Sequence, residues 1–143
     1  MLPIRRALLF GLFLAGHAMA AGAGGTLPAS NRVEVFYFHR TTRCHGCLDM
    51  EAFTAAAADR FPAERLSGRL TFRAVNLDDA TDRHFAQDYA LDFSSVVLSR
   101  RVAGQEAAWT NLSKAWELVG DQTNFTAYVE MEIAAQLKQL SGE

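Results

Sequence analysis

Proline stops at Pro62, and the only cysteines in 143 residues are Cys44 and Cys47. The chain is therefore no disulfide scaffold, and a bridge across a two-residue gap closes so small a ring that it removes little entropy from the unfolded state. Positive charge is also scarce, with 14 Lys and Arg against 16 Asp and Glu, a formal charge of −2. That balance gives no electrostatic case for nucleic acid or for an anionic membrane. No glycine-rich phosphate loop is present, so nothing in the sequence suggests a flavin or nicotinamide site. Past the first twenty residues no stretch is long and apolar enough to span a bilayer, and the remaining chain has neither repeats nor low-complexity tracts.

The first twenty residues have a pattern of their own. Arg5 and Arg6 form a basic start, residues 7–15 an apolar stretch, and Ala18-Met19-Ala20 a small-residue cleavage site, which together read as a secretory signal peptide over residues 1–20. The arginine pair lacks the polar surroundings of a twin-arginine signal, and no cysteine follows Ala20 to take a lipid. Losing Arg5 and Arg6 with the signal takes the formal charge from −2 to −4. The expectation is an exported, periplasmic protein with no stable membrane insertion after cleavage. Residues 21–31, rich in Gly, Ala and Ser, have no periodicity and read as a flexible leader; residues 32–140 suit one domain with one core.

What the domain does have is a dithiol at a junction. Val33-Glu34-Val35-Phe36-Tyr37-Phe38 is an apolar, strand-like run, and Arg40-Thr41-Thr42-Arg43 is a polar turn. Cys44-His45-Gly46-Cys47 then opens a helical pattern in which Cys47, Met50, Ala57 and Phe61 share a face, with Phe53 at its edge and Pro62 as the stop. Positions i and i+3 lie on one helix face, and the free N–H groups and positive dipole end of a helix start favour a thiolate at the first of them. Such a pair can close into a disulfide or grip one metal ion. Cys44 is expected as the exposed, attacking sulfur and Cys47, on the buried stripe, as the resolving one. A protonated His45 beside Cys44 would favour the thiolate and make the disulfide more oxidising.

Further along, residues 70–77 alternate as a strand covered mainly at its ends, and Asp78 and Asp79 can cap a short helix through Tyr89. Val96-Val97-Leu98 begins a third strand, and Gly104 looks like the turn into a fourth over residues 105–110. Residues 112–119 suit a helical turn or two. Phe125, Val129, Ile133, Leu137 and Leu140 define a last amphipathic helix capped by Thr123 or Asp121.

This order, strand, dithiol helix, strand, helix, strand, strand, helix, resembles the thioredoxin fold over residues 32–140: an α/β domain with a central mixed four-stranded sheet flanked by helices. More narrowly, Tyr37-Phe38-His39, Arg43-Cys44-His45-Gly46-Cys47, Val75-Asn76-Leu77-Asp78 and Trp116-Glu117-Leu118-Val119 resemble small exported thioredoxin-like proteins catalogued as nitrophenyl compound nitroreductase subunits. The resemblance implies a thiol-disulfide oxidoreductase that uses Cys44 and Cys47 with His45, needs no cofactor, and acts on protein thiols, disulfides or a redox partner protein.

Three positions depart from thioredoxin itself. Arg43 stands where the family has a tryptophan before the first cysteine, and Phe38 where it has a buried acid. Matching Tyr89-Ala90-Leu91 to the corresponding thioredoxin segment puts Ser95 in place of the cis-proline that faces the dithiol. A serine there would open space for an ion or for another substrate geometry. A copper or zinc protein, such as a metallochaperone, is therefore an alternative, with Cys44, Cys47 and either His39 or His84 as ligands. The plainer readings are a strand-end His39 bonded to nearby backbone and a solvated His84. Asp78-Asp79 reads as a helix start, and Trp109 and Trp116 as core or edge packing. A third class, a non-catalytic interaction domain, shares the fold without the chemistry.

Overall fold

Alternation within one strand decides the architecture. In the computed structural model, which describes residues 30–142, β1 (Arg32–His39) sends Val33, Val35 and Tyr37 to one side and Phe36 and Phe38 to the other, so both of its faces are buried. The signal peptide expected over residues 1–20 and the leader up to residue 29 lie outside the described residues. The leader's last two residues are tied down: the carbonyl of Ser30 accepts from the Gly104 amide at 2.8 Å, and Asn31 Oδ1 accepts from the Ala103 amide at 2.7 Å.

After β1 come α1 (His45–Ala58), α2 (Pro62–Leu66), β2 (Leu70–Asn76), α3 (Phe85–Asp88), β3 (Ser95–Val102), β4 (Gln105–Asn111), α4 (Ala115–Leu118) and α5 (Gln122–Leu140). The sheet order is β2-β1-β3-β4, with β1 and β2 parallel and the other two pairings antiparallel. This is the mixed four-stranded sheet expected from the sequence. The β3–β4 hairpin closes through Ala103 and Gly104, both at positive φ (50° and 78°), the two-residue geometry that matches strand twist. Gly104 takes that conformation without the steric cost Ala103 bears.

Two expectations need correction. Pro62 does not end the first helix, which stops at Ala58; with no N–H to leave unpaired, it opens α2 instead. Asp78 and Asp79 do not cap a helix through Tyr89. The chain runs through turns after β2, and α3 is only four residues long, with His84 at its N-cap position. Asp78 is held elsewhere, accepting from the Thr41 amide at 2.7 Å and from Arg40 at 3.0 Å, bonds that remove it as a helix cap.

The two faces of the sheet are covered differently. On the first, α1 and α5 enclose Val33, Val35, Tyr37, Met50, Leu98, Phe125, Val129 and Ile133. Asp121 caps α5, accepting from the Asn124 amide at 3.1 Å, as the sequence pattern anticipates. Among the described residues the second face has only α3, and its core is aromatic: Phe36, Phe38 and Tyr89, with Phe85 stacked on Tyr89 at 5.9 Å and 1° between planes. Beside this stack lies a cavity of about 500 Å³ bordered by Arg32, Glu34, Arg73 and Arg101. Glu34 pairs with Arg32 and Arg101, and Glu106 Oε2 accepts from Tyr89 (2.6 Å) and from the buried Ser99 (2.5 Å).

Candidate functional site

The polar turn after β1 delivers the dithiol to the first face, at the end of the sheet where α1 begins. Cys44 is the N-cap of α1 in extended backbone conformation, and its sulfur accepts from the Cys47 amide at 3.1 Å. The amide is shared with the Cys44 carbonyl, also at 3.1 Å, and so a first-turn N–H points at the sulfur where thiolate charge would form. Cys44 and Cys47 are joined in a disulfide, their Cα atoms 5.0 Å apart. Cys44 is exposed and Cys47 buried, the asymmetry expected from the helix stripe.

Polar groups gather beneath the second cysteine. Tyr37, buried on β1, donates its hydroxyl to the Cys47 carbonyl at 2.6 Å. Burial pushes the phenol's pKa up, against donors from Ser94 and Arg43 that pull it down, so Tyr37 keeps the proton it donates. Arg43 lies over the Tyr37 ring, 5.6 Å from its centroid, and pairs with Glu51 one helical turn beyond Cys47. Burial lowers the arginine's pKa and hydrogen bonds to Glu51 and Tyr37 raise it, the second effect prevailing. Arg43 therefore fills space between strand and helix as a paired cation. Phe38, at the position where thioredoxin has a buried acid, points to the opposite face, into the aromatic cluster.

The residue that meets the dithiol from the sheet is Ser94. Its hydroxyl lies 3.9 Å from Cys47 Sγ, whereas Ser95 turns away and donates to the Phe93 carbonyl at 3.0 Å. The expectation of Ser95 was one residue off, and a slip of one residue in a strand moves a side chain to the other face. No peptide bond among the described residues is cis. Trp116 also belongs to the site: its indole N–H donates to the Ser94 carbonyl at 2.7 Å, and its ring, with Val119, lies 3.9 Å from where a side chain on Gly46 would begin. Phe93, 58 % exposed, meets Trp116 edge-on, and Leu48 on α1 is 50 % exposed. The packing role foreseen for Trp116 is thus packing against the disulfide segment. The late Trp116-Glu117-Leu118-Val119 run was the only sequence signal for it.

The histidines are dispersed. His45 is 91 % exposed and pairs with Asp49 at 3.2 Å. His39 bonds the Arg40 carbonyl at 2.9 Å and stacks on Tyr37, while His84 pairs with Asp88 at 2.7 Å on the far side of the sheet's second core. Among the described residues, no three His, Cys, Asp or Glu side chains are grouped to hold a metal ion, and no helix is long and apolar enough to cross a membrane. His39 and His84, the two imidazoles considered as metal ligands, are each engaged elsewhere, with a backbone carbonyl and with Asp88.

No protein-family model matches the chain, and neither does any curated protein. Among solved structures it is similar to one described as "Structure of a malarial protein", at 17% identity and a TM-score of 0.40 over 57% of this chain and 81% of that one. It is similar also to chloroplastic thioredoxin z, at 18% identity and a TM-score of 0.39 over 65% of this chain and 80% of that one. The resemblance to nitroreductase subunits finds no support in these comparisons. The domain's thioredoxin-like character stands on its own topology: sheet order β2-β1-β3-β4, one antiparallel hairpin, and a cysteine pair at the first turn of the helix after β1.

Proposed function

We propose that this chain is an exported thiol-disulfide oxidoreductase in which Cys44 exchanges with protein thiols or disulfides and Cys47 resolves the mixed disulfide. The observation that carries it is the pairing of an exposed, helix-capping Cys44 with a buried Cys47 in one disulfide. A sulfur that accepts a helix-start amide has its thiolate favoured, which suits both attack on a disulfide and departure from one. The exposed apolar side chains nearby, Phe93 and Leu48, favour a protein or peptide partner over a small charged thiol. Export rests on the basic, apolar and small-residue pattern of residues 1–20.

The test is equilibration of the purified mature protein with reduced and oxidised glutathione, followed by alkylation and mass mapping. A reversible two-electron couple is expected, with Cys44 labelled before Cys47 at mildly acidic pH. A pair that cannot be reduced and reoxidised in these buffers would sink the proposal and leave an interaction domain. Stoichiometric copper or zinc in the native protein, lost on Cys44→Ser, would replace it with a metal site.

A further inference from the structure

We infer that the Ser94 hydroxyl is the hydrogen-bond donor that stabilises the Cys47 thiolate during exchange, a role for which the described residues offer no buried carboxylic acid. The inference rests on the proposed exchange chemistry. When a substrate thiolate attacks Cys44 Sγ, a substrate–Cys44 bond forms, the Cys44–Cys47 bond breaks, and the electron pair goes to Cys47 Sγ. In the reverse direction the Cys47 thiolate attacks Cys44 Sγ, the disulfide re-forms and the substrate leaves as a thiolate. In both directions negative charge sits on a sulfur that is 8 % exposed, where desolvation disfavours it.

Few groups can answer that charge. Glu51 on α1 is of the wrong sign, and Arg43 gives Nη2 to Glu51 and its plane to the face of Tyr37, while its buried Nε has no partner. The Tyr37 hydroxyl is spent on the Cys47 carbonyl at 2.6 Å. The Cys47 amide points to Cys44 Sγ. Ser94 is the hydroxyl placed at the sulfur: it stands 3.9 Å from Cys47 Sγ with the Tyr37 phenol as its other partner, so charge arriving on the sulfur competes with Tyr37 for its proton. Its carbonyl is fixed by the Trp116 indole at 2.7 Å, which sets the backbone that aims it. A distance of 3.9 Å is long because a disulfide sulfur is a poor acceptor; such contacts tighten when charge arrives. Sequence alternation supports the aim, since Ser94 lies on the side of the strand opposite to Ser95.

The experiment uses the fully reduced chain mixed with an aromatic disulfide whose thiolate is coloured. Cys44 attack releases the first coloured thiolate at a rate set by reagent concentration; Cys47 attack on Cys44 Sγ releases the second in a step independent of it. Ser94→Val removes the hydroxyl and Ser94→Thr keeps it on nearly the same shape, and both leave the carbonyl that Trp116 holds. Followed at mildly acidic pH, where little Cys47 is ionised, the second release should slow about three- to tenfold in Ser94→Val, because the loss of one hydrogen bond to a charged group is partly offset by the greater nucleophilicity of the freer thiolate, and stay within about twofold of wild type in Ser94→Thr. The first release should be unchanged in both. Equal second-step rates in wild type and Ser94→Val overturn the role of Ser94 while leaving exchange intact. A wild-type chain that gives the first release and never the second overturns the exchange proposal itself, and this inference with it. Equal slowing in Ser94→Thr and Ser94→Val assigns the effect to packing and also overturns it.

Discussion

The two faces of the sheet solve one problem in different ways. The first is closed by helices of 14 and 19 residues whose apolar stripes interlock over β1 and β3, and the dithiol is mounted at its edge. The second has a four-residue helix and closes itself with an aromatic stack, an arginine–glutamate web around Glu34, and a carboxylate that takes two hydroxyl donors. Helical cover on the first face leaves two buried side-chain polar atoms without a partner, Arg43 Nε beside the cysteines and Thr126 Oγ1 on α5. Where cover is thin, side-chain hydrogen bonds and ion pairs take its place. The disulfide therefore sits on the face with the longer helical cover, where a strand, a helix start and the β3 entry meet.

If packing differs as described, truncations on the two faces should differ. Phe125→Ala removes a ring with no solvent exposure and should cost about 3–5 kcal/mol in denaturant unfolding, whereas Phe85→Ala removes a half-buried ring and should cost about 1–2 kcal/mol. Equal costs would erase the comparison. Glu106→Ala strips the acceptor from both Tyr89 and the buried Ser99 and should cost about 1–3 kcal/mol, more than an ordinary surface substitution. Chemical denaturation of Glu106→Ala at neutral pH checks it, and a neutral effect would show that polar bonding does not compensate for the short α3.

A smaller effect concerns the loop leading to the dithiol. The Thr41 amide, then Arg40, holds the Asp78 carboxyl below the ordinary carboxylate range. A depressed folded pKa adds stability above the unfolded value of about 4, and that stability is lost as pH falls through the folded value. Asp78→Asn should therefore melt below wild type at pH 7, and the gap should close in acid below about pH 4. A gap that persists in acid would assign the loss to the side chain's shape. The smallest effect is at His45, where the imidazole is almost wholly in solvent against Asp49. His45→Ala should lower the reduction potential by less than about 30 mV, the span of a tenfold change in the two-electron equilibrium. A larger drop would show that the imidazole acts on the Cys44 sulfur despite its exposure.

Much of this was readable from the chain because it depends on period and composition. The apolar run of β1, the i, i+3 placement of Cys44 and Cys47, the glycine turn at Gly104 and the stripe from Phe125 to Leu137 are local patterns, and each appears where its period puts it. The site's other half is not local. Ser94, Tyr37 and Trp116 meet the dithiol only because β3, β1 and α4 converge there, and no pairwise spacing in the sequence encodes that convergence. Ser95 was singled out in place of Ser94 because alignment to a distant fold carries an uncertainty of one residue, which in a strand is the whole difference between facing the sulfurs and facing away. Asp78 failed as a helix cap for a related reason: a tertiary donor, the Thr41 amide, outcompeted the local one.

Trp116, whose indole bonds the Ser94 carbonyl and whose ring lies where a side chain on Gly46 would reach, gives the molecule an optical property. An indole beside a disulfide loses excited-state energy to it, so emission from Trp116 should rise when the Cys44–Cys47 bond is reduced and fall again on reoxidation. Trp109, on β4 against Tyr89, supplies a steady background from the opposite face. The redox state of the pair can thus be followed continuously in the unlabelled protein, and Trp116→Phe should silence the signal.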